Sequence, residues 1–122
     1  MIKFKNMVNL MVTATLLCGA VMLGSTTASA SEATIAEGKK LAFNRKKGNC
    51  LACHAIAGEP LPGNIGPPLI AMKARFPDVS VLRAQIWNAS AKNPNSIMPP
   101  FGRHHMLSDS EIDKITDFIH SL

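Results

Sequence analysis

The sequence predicts a small all-α domain with too little side-chain bulk to fill its own centre. Three observations predict it. Apolar residues recur at helical spacing in three segments, and no segment alternates convincingly with period 2. Two proline-rich loops, 58–69 and 93–102, separate those segments, and rigid irregular loops in so small a domain usually wrap something. Beyond residue 30 only Phe43, Phe76, Trp87, Phe101 and Phe118 supply aromatic bulk.

The domain is expected to begin at residue 31. Lys3 and Lys5 start the chain, an uncharged apolar run follows over 7–23, and small residues end in Ala28-Ser29-Ala30. This is the pattern of a cleaved secretory signal peptide over 1–30. The apolar run is short and broken by Asn9, Thr13, Thr15 and Gly19, which weakens the alternative of a retained membrane anchor. Lipid attachment at Cys18 is a third reading, against which Leu17 stands where a small residue is wanted. Cleavage leaves 122 − 30 = 92 residues, one domain over 31–122, with 11 basic and 8 acidic side chains and a formal charge of +3. That charge gives no nucleic-acid footprint and suits docking on an acidic protein surface. An exported chain is expected in the periplasm, free of the membrane once its leader is cut.

The first helix is predicted over about 32–47. Thr34-Ile35-Ala36-Glu37 fits a capping box, with Ser31 as a rival start. Ile35, Gly38, Leu41 and Ala42 share a face, and Gly48 suits the position after the end. Arg45, Lys46 and Lys47 would then occupy the last turn, where cations suit the helix dipole; a partner-docking patch is the other use for them. The second helix is predicted over about 81–89, capped by Asp78 or Ser80. The third opens on Ser108-Asp109-Ser110-Glu111, a capping box, and continues with Ile112, Ile115, Phe118, Ile119 and Leu122 at helical spacing.

Cys50-Leu51-Ala52-Cys53-His54 carries the chemistry. C-x-x-C-H is the attachment signature of c-type haem. Two thiols at this gap reach the two vinyl groups of one macrocycle, and the adjacent imidazole addresses the iron. Attachment occurs outside the bacterial cytoplasm, so leader and motif support each other. Zinc would need four ligands in spaced pairs, and His104, His105 and His120 form no second pair. A dithiol oxidoreductase would want a βαβ context. A structural disulfide would leave His54 and both proline loops without a role.

A second axial ligand is sought among Met72, Met98, Met106 and the remaining histidines. Met98 stands in Ser96-Ile97-Met98-Pro99-Pro100, where two prolines stiffen the backbone behind a weak thioether. Met72 and Met106 better suit the filling of a core. His104, His105 and His120 better suit a solvated surface. A ligating histidine donates its other ring nitrogen to a fixed acceptor, and the Pro67 carbonyl of Gly66-Pro67-Pro68-Leu69 is the acceptor on offer.

Taken in order, Cys50-x-x-Cys53-His54, Gly66-Pro67-x-Leu69, Met98-Pro99 and an amphipathic last helix resemble class I cytochrome c over essentially all of 31–122. The resemblance implies one covalent haem c on Cys50 and Cys53, His54 and Met98 as axial iron ligands, and Pro67 as acceptor for His54. It also implies that the first and last helices cross, with Gly38 facing Phe118. The blocks "KGNCLACHAIAG", "LPGNIGPPL", "MKARFP", "LRAQIWNA" and "NPNSIMPPFG" further resemble SoxX, the monohaem subunit of the SoxAX cytochromes of bacterial sulfur oxidation. That family implies a SoxA-type partner, a SoxYZ-type carrier protein and a small cytochrome c as electron acceptor. The complex is an L-cysteine S-thiosulfotransferase that oxidatively joins thiosulfate to a carrier cysteine. The SoxX chain itself relays electrons and performs no sulfur chemistry.

The residues support that division. Both cysteines of 31–122 are consumed by the haem, so no thiol remains to hold sulfur. His/Met ligation raises a haem's reduction potential, which suits an electron acceptor. A freestanding periplasmic cytochrome c shuttle is the alternative, and a non-haem disulfide or zinc module is a third.

Overall fold

The structure is a computed structural model that describes residues 30–61 and 63–122. The leader expected over 1–30 lies outside the described residues apart from Ala30, as does Pro62. Four helices make the frame: α1 Glu32–Phe43, α2 Met72–Arg75, α3 Val79–Trp87 and α4 Asp109–His120. Two 3-10 turns, Cys50–Ala52 and Ala89–Ala91, punctuate the loops. Among the described residues there is no strand, only a lone parallel bridge between Ile56 and Leu69. The all-α class is therefore as the sequence predicts.

The helix ends differ from the expected ones for local reasons. Ser31 caps α1, its hydroxyl accepting the Thr34 N–H at 3.2 Å, so the box expected on Thr34 is not the start. α1 stops at Phe43 rather than near 47. Asn44 is extended, and its side-chain oxygen takes the Lys46 N–H at 2.8 Å, an alternative to the helical ladder. Gly48 N–H then returns to the Leu41 carbonyl at 3.1 Å. Arg45, Lys46 and Lys47 thus lie in a turn past the helix and cannot serve its dipole from within the last turn. Asp78 caps α3 by accepting the Ser80 N–H at 2.9 Å. α3 ends at Trp87, two residues early, and the Trp87 carbonyl takes N–H groups from Gly102 at 3.0 Å and Arg103 at 3.3 Å. α2 was not predicted at all.

α4 starts where its capping box puts it. Glu111 accepts the Ser108 N–H at 2.9 Å while Ser108 accepts the Glu111 N–H at 3.3 Å. Lys47 pairs with Glu111 at 2.7 Å, and together with the Ser108 N–H it holds the Glu111 carboxyl below its usual range. Ser108→Ala is expected to cost about 1 kcal/mol of stability, read by denaturant titration of the haem-loaded protein.

The core forms where α1 and α4 meet, with α3 packed on α4. Ile112, Ile115, Phe118 and Ile119 of α4 are buried together with Ala42 of α1 and Leu82 and Ile86 of α3. Burying one such aliphatic side chain stabilises the fold by about 1.5–3 kcal/mol. The helices touch at Gly38, where an added Cβ would collide with the Lys114 carbonyl and come within 2.9 Å of the Phe118 Cβ. Phe43 meets Phe118 edge-on, with ring centroids 5.6 Å apart. The Gly38–Phe118 crossing implied by the resemblance is present.

Candidate functional site

The residues the sequence singles out converge on one cavity of about 640 Å³. Cys50, Cys53, His54, Pro67 and Met98 all line it. Its inner wall is apolar and comes from the helices: Met72 of α2, Leu82 and Ile86 of α3, Ile115 and Ile119 of α4. This space is what the shortage of aromatic bulk foreshadows.

Asn49 turns the chain into the motif from the left-handed region, φ 48°, which Asn tolerates better than most residues. The Cys50 carbonyl then accepts N–H groups from Cys53 at 3.2 Å and His54 at 2.9 Å. That small knot brings both cysteines and the histidine to the same wall. The proline loop is laced back onto it. Gly63 donates to Leu51 at 2.9 Å, Gly66 to Cys53 at 2.8 Å and Leu69 to Ala55 at 2.9 Å.

His54 is fixed by two neighbours. Its Nδ1 donates to the Pro67 carbonyl at 2.7 Å. With the proton held on Nδ1, the Nε2 lone pair is left for a metal. Gly66 also lies against the ring, where a Cβ would stand 2.5 Å from Cε1 and 2.6 Å from Nδ1. Any side chain at 66 would push the imidazole out of place.

Cys50 and Cys53 stand as free thiols, both half-buried. Burial pushes the Cys50 thiol up to about 11. Reactive dithiols depend on a lowered thiol, so this environment runs against the oxidoreductase reading. Among the described residues no group of three or more His, Cys, Asp or Glu is arranged to hold a bare metal ion. Two thiols, an imidazole with its second nitrogen committed and a large apolar cavity are instead a donor set and space that fit haem c, and the Met98 thioether lines the same cavity.

Met98 is half-buried against the core, its N–H donating to the Ser96 hydroxyl at 3.3 Å. Its loop is pinned to the end of α3 by the Trp87 carbonyl described above. The other methionines divide. Met72 is 2% exposed, as expected of a core residue. Met106 is 48% exposed at the cavity mouth and fills no core, because the turn 101–107 carries it outward while Phe101 and Leu107 turn in. His104 and His105 are exposed, as expected. His120 is not: it is half-buried, with Nε2 hydrogen-bonded to the Phe76 carbonyl at 3.0 Å. No histidine other than His54 lines the cavity among the described residues.

Polar lining groups that sequence reasoning missed are Arg75, Gln85, Asn93 and Asn95. A one-turn helix has no period to detect, so nothing in Met72-Lys73-Ala74-Arg75 marks Arg75 beforehand. Arg45 and Lys47 also reach the cavity rim, which follows from α1 ending early.

Among the described residues no helix is long and apolar enough to cross a membrane. The chain is similar to an uncharacterized lipoprotein of Aquifex aeolicus (strain VF5), 38% identical over 78 residues, which is 62% of this chain and 37% of that protein. The chain therefore spans well under half the length of that relative. In three dimensions it is similar to the crystal structure of SoxXA from P. pantotrophus, with a TM-score of 0.65 at 24% identity, covering 79% of this chain and 84% of that one. That likeness shows the shared fold. The family model for cytochrome C oxidase, cbb3-type, subunit III matches residues 33–119. The helical frame, the C-x-x-C-H wall and this match over most of the chain agree, and the chain belongs to that family of c-type cytochromes, with covalently bound haem c and a role in electron transfer.

Proposed function

We propose that this chain is the monohaem electron-transfer subunit of a SoxAX-type complex. Residues 1–30 are its cleaved leader, residues 31–122 its cytochrome domain, and the periplasm its place of work. Cys50 and Cys53 hold the haem through thioether bonds, His54 and Met98 are the axial ligands, and the Pro67 carbonyl orients His54. Haem c, when bound, supplies a one-electron iron couple. The chain's own residues supply the rest. The walls of α2, α3 and α4 exclude water, which favours the less charged reduced form. His54 and Met98 would both be committed to holding the iron, which suits electron transfer rather than the binding of thiosulfate.

One observation carries the sulfur-oxidation reading: five sequence blocks, in order, resemble SoxX. The shared fold with the SoxXA structure is consistent with it. Since Cys50 and Cys53 are the only cysteines of 31–122, thiosulfate and the carrier cysteine must meet on a partner. That partner is a SoxA-type subunit. Electrons pass from it through this chain to a small cytochrome c, while a SoxYZ-type protein carries the sulfur.

The test is a tagged chain recovered from periplasm. A second haem protein is expected to co-purify, and thiosulfate with carrier protein is expected to reduce this haem. Recovery as a lone monomer whose haem thiosulfate never reduces would overturn the assignment. A freestanding shuttle is the second reading, favoured by Arg45 and Lys46, which are exposed at the turn beside the cavity and make no ion pair among the described residues. Fast, salt-sensitive reduction by several unrelated partners would mark it.

A further inference from the structure

Arg75, at the end of α2, is tied to the turn that holds His54. Its Nη1 donates to the Pro68 carbonyl at 2.8 Å and also reaches the Ile70 carbonyl at 3.5 Å and the Met72 sulfur at 3.4 Å. Pro68 directly follows Pro67, whose carbonyl accepts from His54 Nδ1. Neither proline has an N–H, so between Gly66 and Leu69 the backbone has no donor with which to fix itself. The rings set φ, Pro68 confines the ψ of Pro67 sterically, and the Leu69 N–H on the Ala55 carbonyl helps to hold the ψ of Pro68; the fine aim of each carbonyl is set by the group that engages it. His54 engages the first carbonyl and Arg75 the second.

Arg75 can act as an anchor because α2 is itself anchored. Met72 is buried, and its N–H donates to the Leu122 carbonyl at 2.9 Å. The Phe76 carbonyl takes the His120 ring, which joins the end of α2 to α4. The Arg75 guanidinium lies 5.9 Å from the centre of the Phe76 ring. A continuous chain of contacts therefore runs from α4 through α2 and Arg75 to Pro68, Pro67 and His54.

The geometry points to Arg75 as a positioning residue for His54: by holding the Pro68 carbonyl it keeps the Pro67 carbonyl aligned on Nδ1. The inference rests on His54 being the haem ligand. Reduction potential alone would not isolate it. Losing a nearby cation lowers the potential, while a weaker Pro67 bond makes His54 a poorer donor and raises it. Proton exchange at His54 Nδ1 separates the two.

The experiment compares wild-type and Arg75→Met holoproteins, both reduced, by NMR. His54 Nδ1–H is expected to exchange with solvent about tenfold faster in Arg75→Met, the size of one charge-assisted hydrogen bond. Amide exchange along α1 and α4 is expected to stay within about twofold of wild type. Arg83→Met, which removes the pairing of α3 to Asp109 and Asp113, is expected to leave His54 exchange unchanged. Unchanged His54 exchange in Arg75→Met would overturn the inference. So would acceleration matched by the α4 amides, which would mean general loosening. The wild-type spectrum tests the underlying reading separately. His54 ring protons without a haem ring-current shift would overturn ligation, while the exchange comparison would still decide whether Arg75 steadies the Pro67 bond.

Discussion

Gly38→Ala is expected to lower the thermal midpoint of the haem-loaded protein by roughly 15 °C, read by circular dichroism. The added methyl meets the Lys114 carbonyl, which belongs to the backbone of α4 and cannot rotate away as a side chain could. On the other side it meets the Phe118 Cβ. Either the helices separate, losing packing around Ile115, Phe118 and Phe43, or the chain bends. Overpacking of this kind costs about 3 kcal/mol, a large share of the total stability of a domain this size. A midpoint within a few degrees of wild type would mean that α1 and α4 part easily and that the core lies elsewhere.

Met98→Ala is expected to abolish the Met–iron absorption of the oxidised protein and to lower the reduction potential by on the order of 0.2 V, a fraction of the range that axial ligands span. Redox titration of the purified holoprotein checks it. The site narrows the competitors. His104 and His105 do not line the cavity, and His120 has its Nε2 on the Phe76 carbonyl. Met72 is buried with Arg75 against its sulfur, which leaves Met106 at the mouth as the nearest substitute in kind. An unchanged spectrum in Met98→Ala, followed by loss of the signal in Met106→Ala, would move the ligand to Met106.

How far the sequence could be read depended on whether the deciding interaction was local. α4 was readable because its start is set by Ser108 and Glu111, three residues apart, and its face by five apolar side chains at helical spacing. The gathering of Cys50, Cys53 and His54 on one cavity wall was readable because they lie within five residues of one another and are held by bonds to the Cys50 carbonyl. α1 looked longer than it is because Arg45, Lys46 and Lys47 suit a helix end on charge alone; the stop comes from the Asn44 side chain competing for the Lys46 N–H. At α3 the Trp87 carbonyl is engaged by Gly102 and Arg103, a contact no window around 87 contains. Met106 and His120 were misjudged for the same reason. One was expected in the core and stands at the rim, and the other was expected at the surface and links two helices. Arg75 was missed because its partners are carbonyls, which carry no residue identity that a sequence can display.

The meeting of α1 with α4 also has a kinetic meaning. It joins the two ends of the described chain, so the main core contact carries a long loop-closure cost and a high contact order. The knot of Cys50, Cys53 and His54 needs only bonds across a few residues and can form early. Ile115 and Ile119 wall off the cavity only when α4 docks. Without α4 in place the inner wall of the cavity is incomplete, so enclosure of the space beside the C-x-x-C-H knot waits on the contact between the two ends of the described chain.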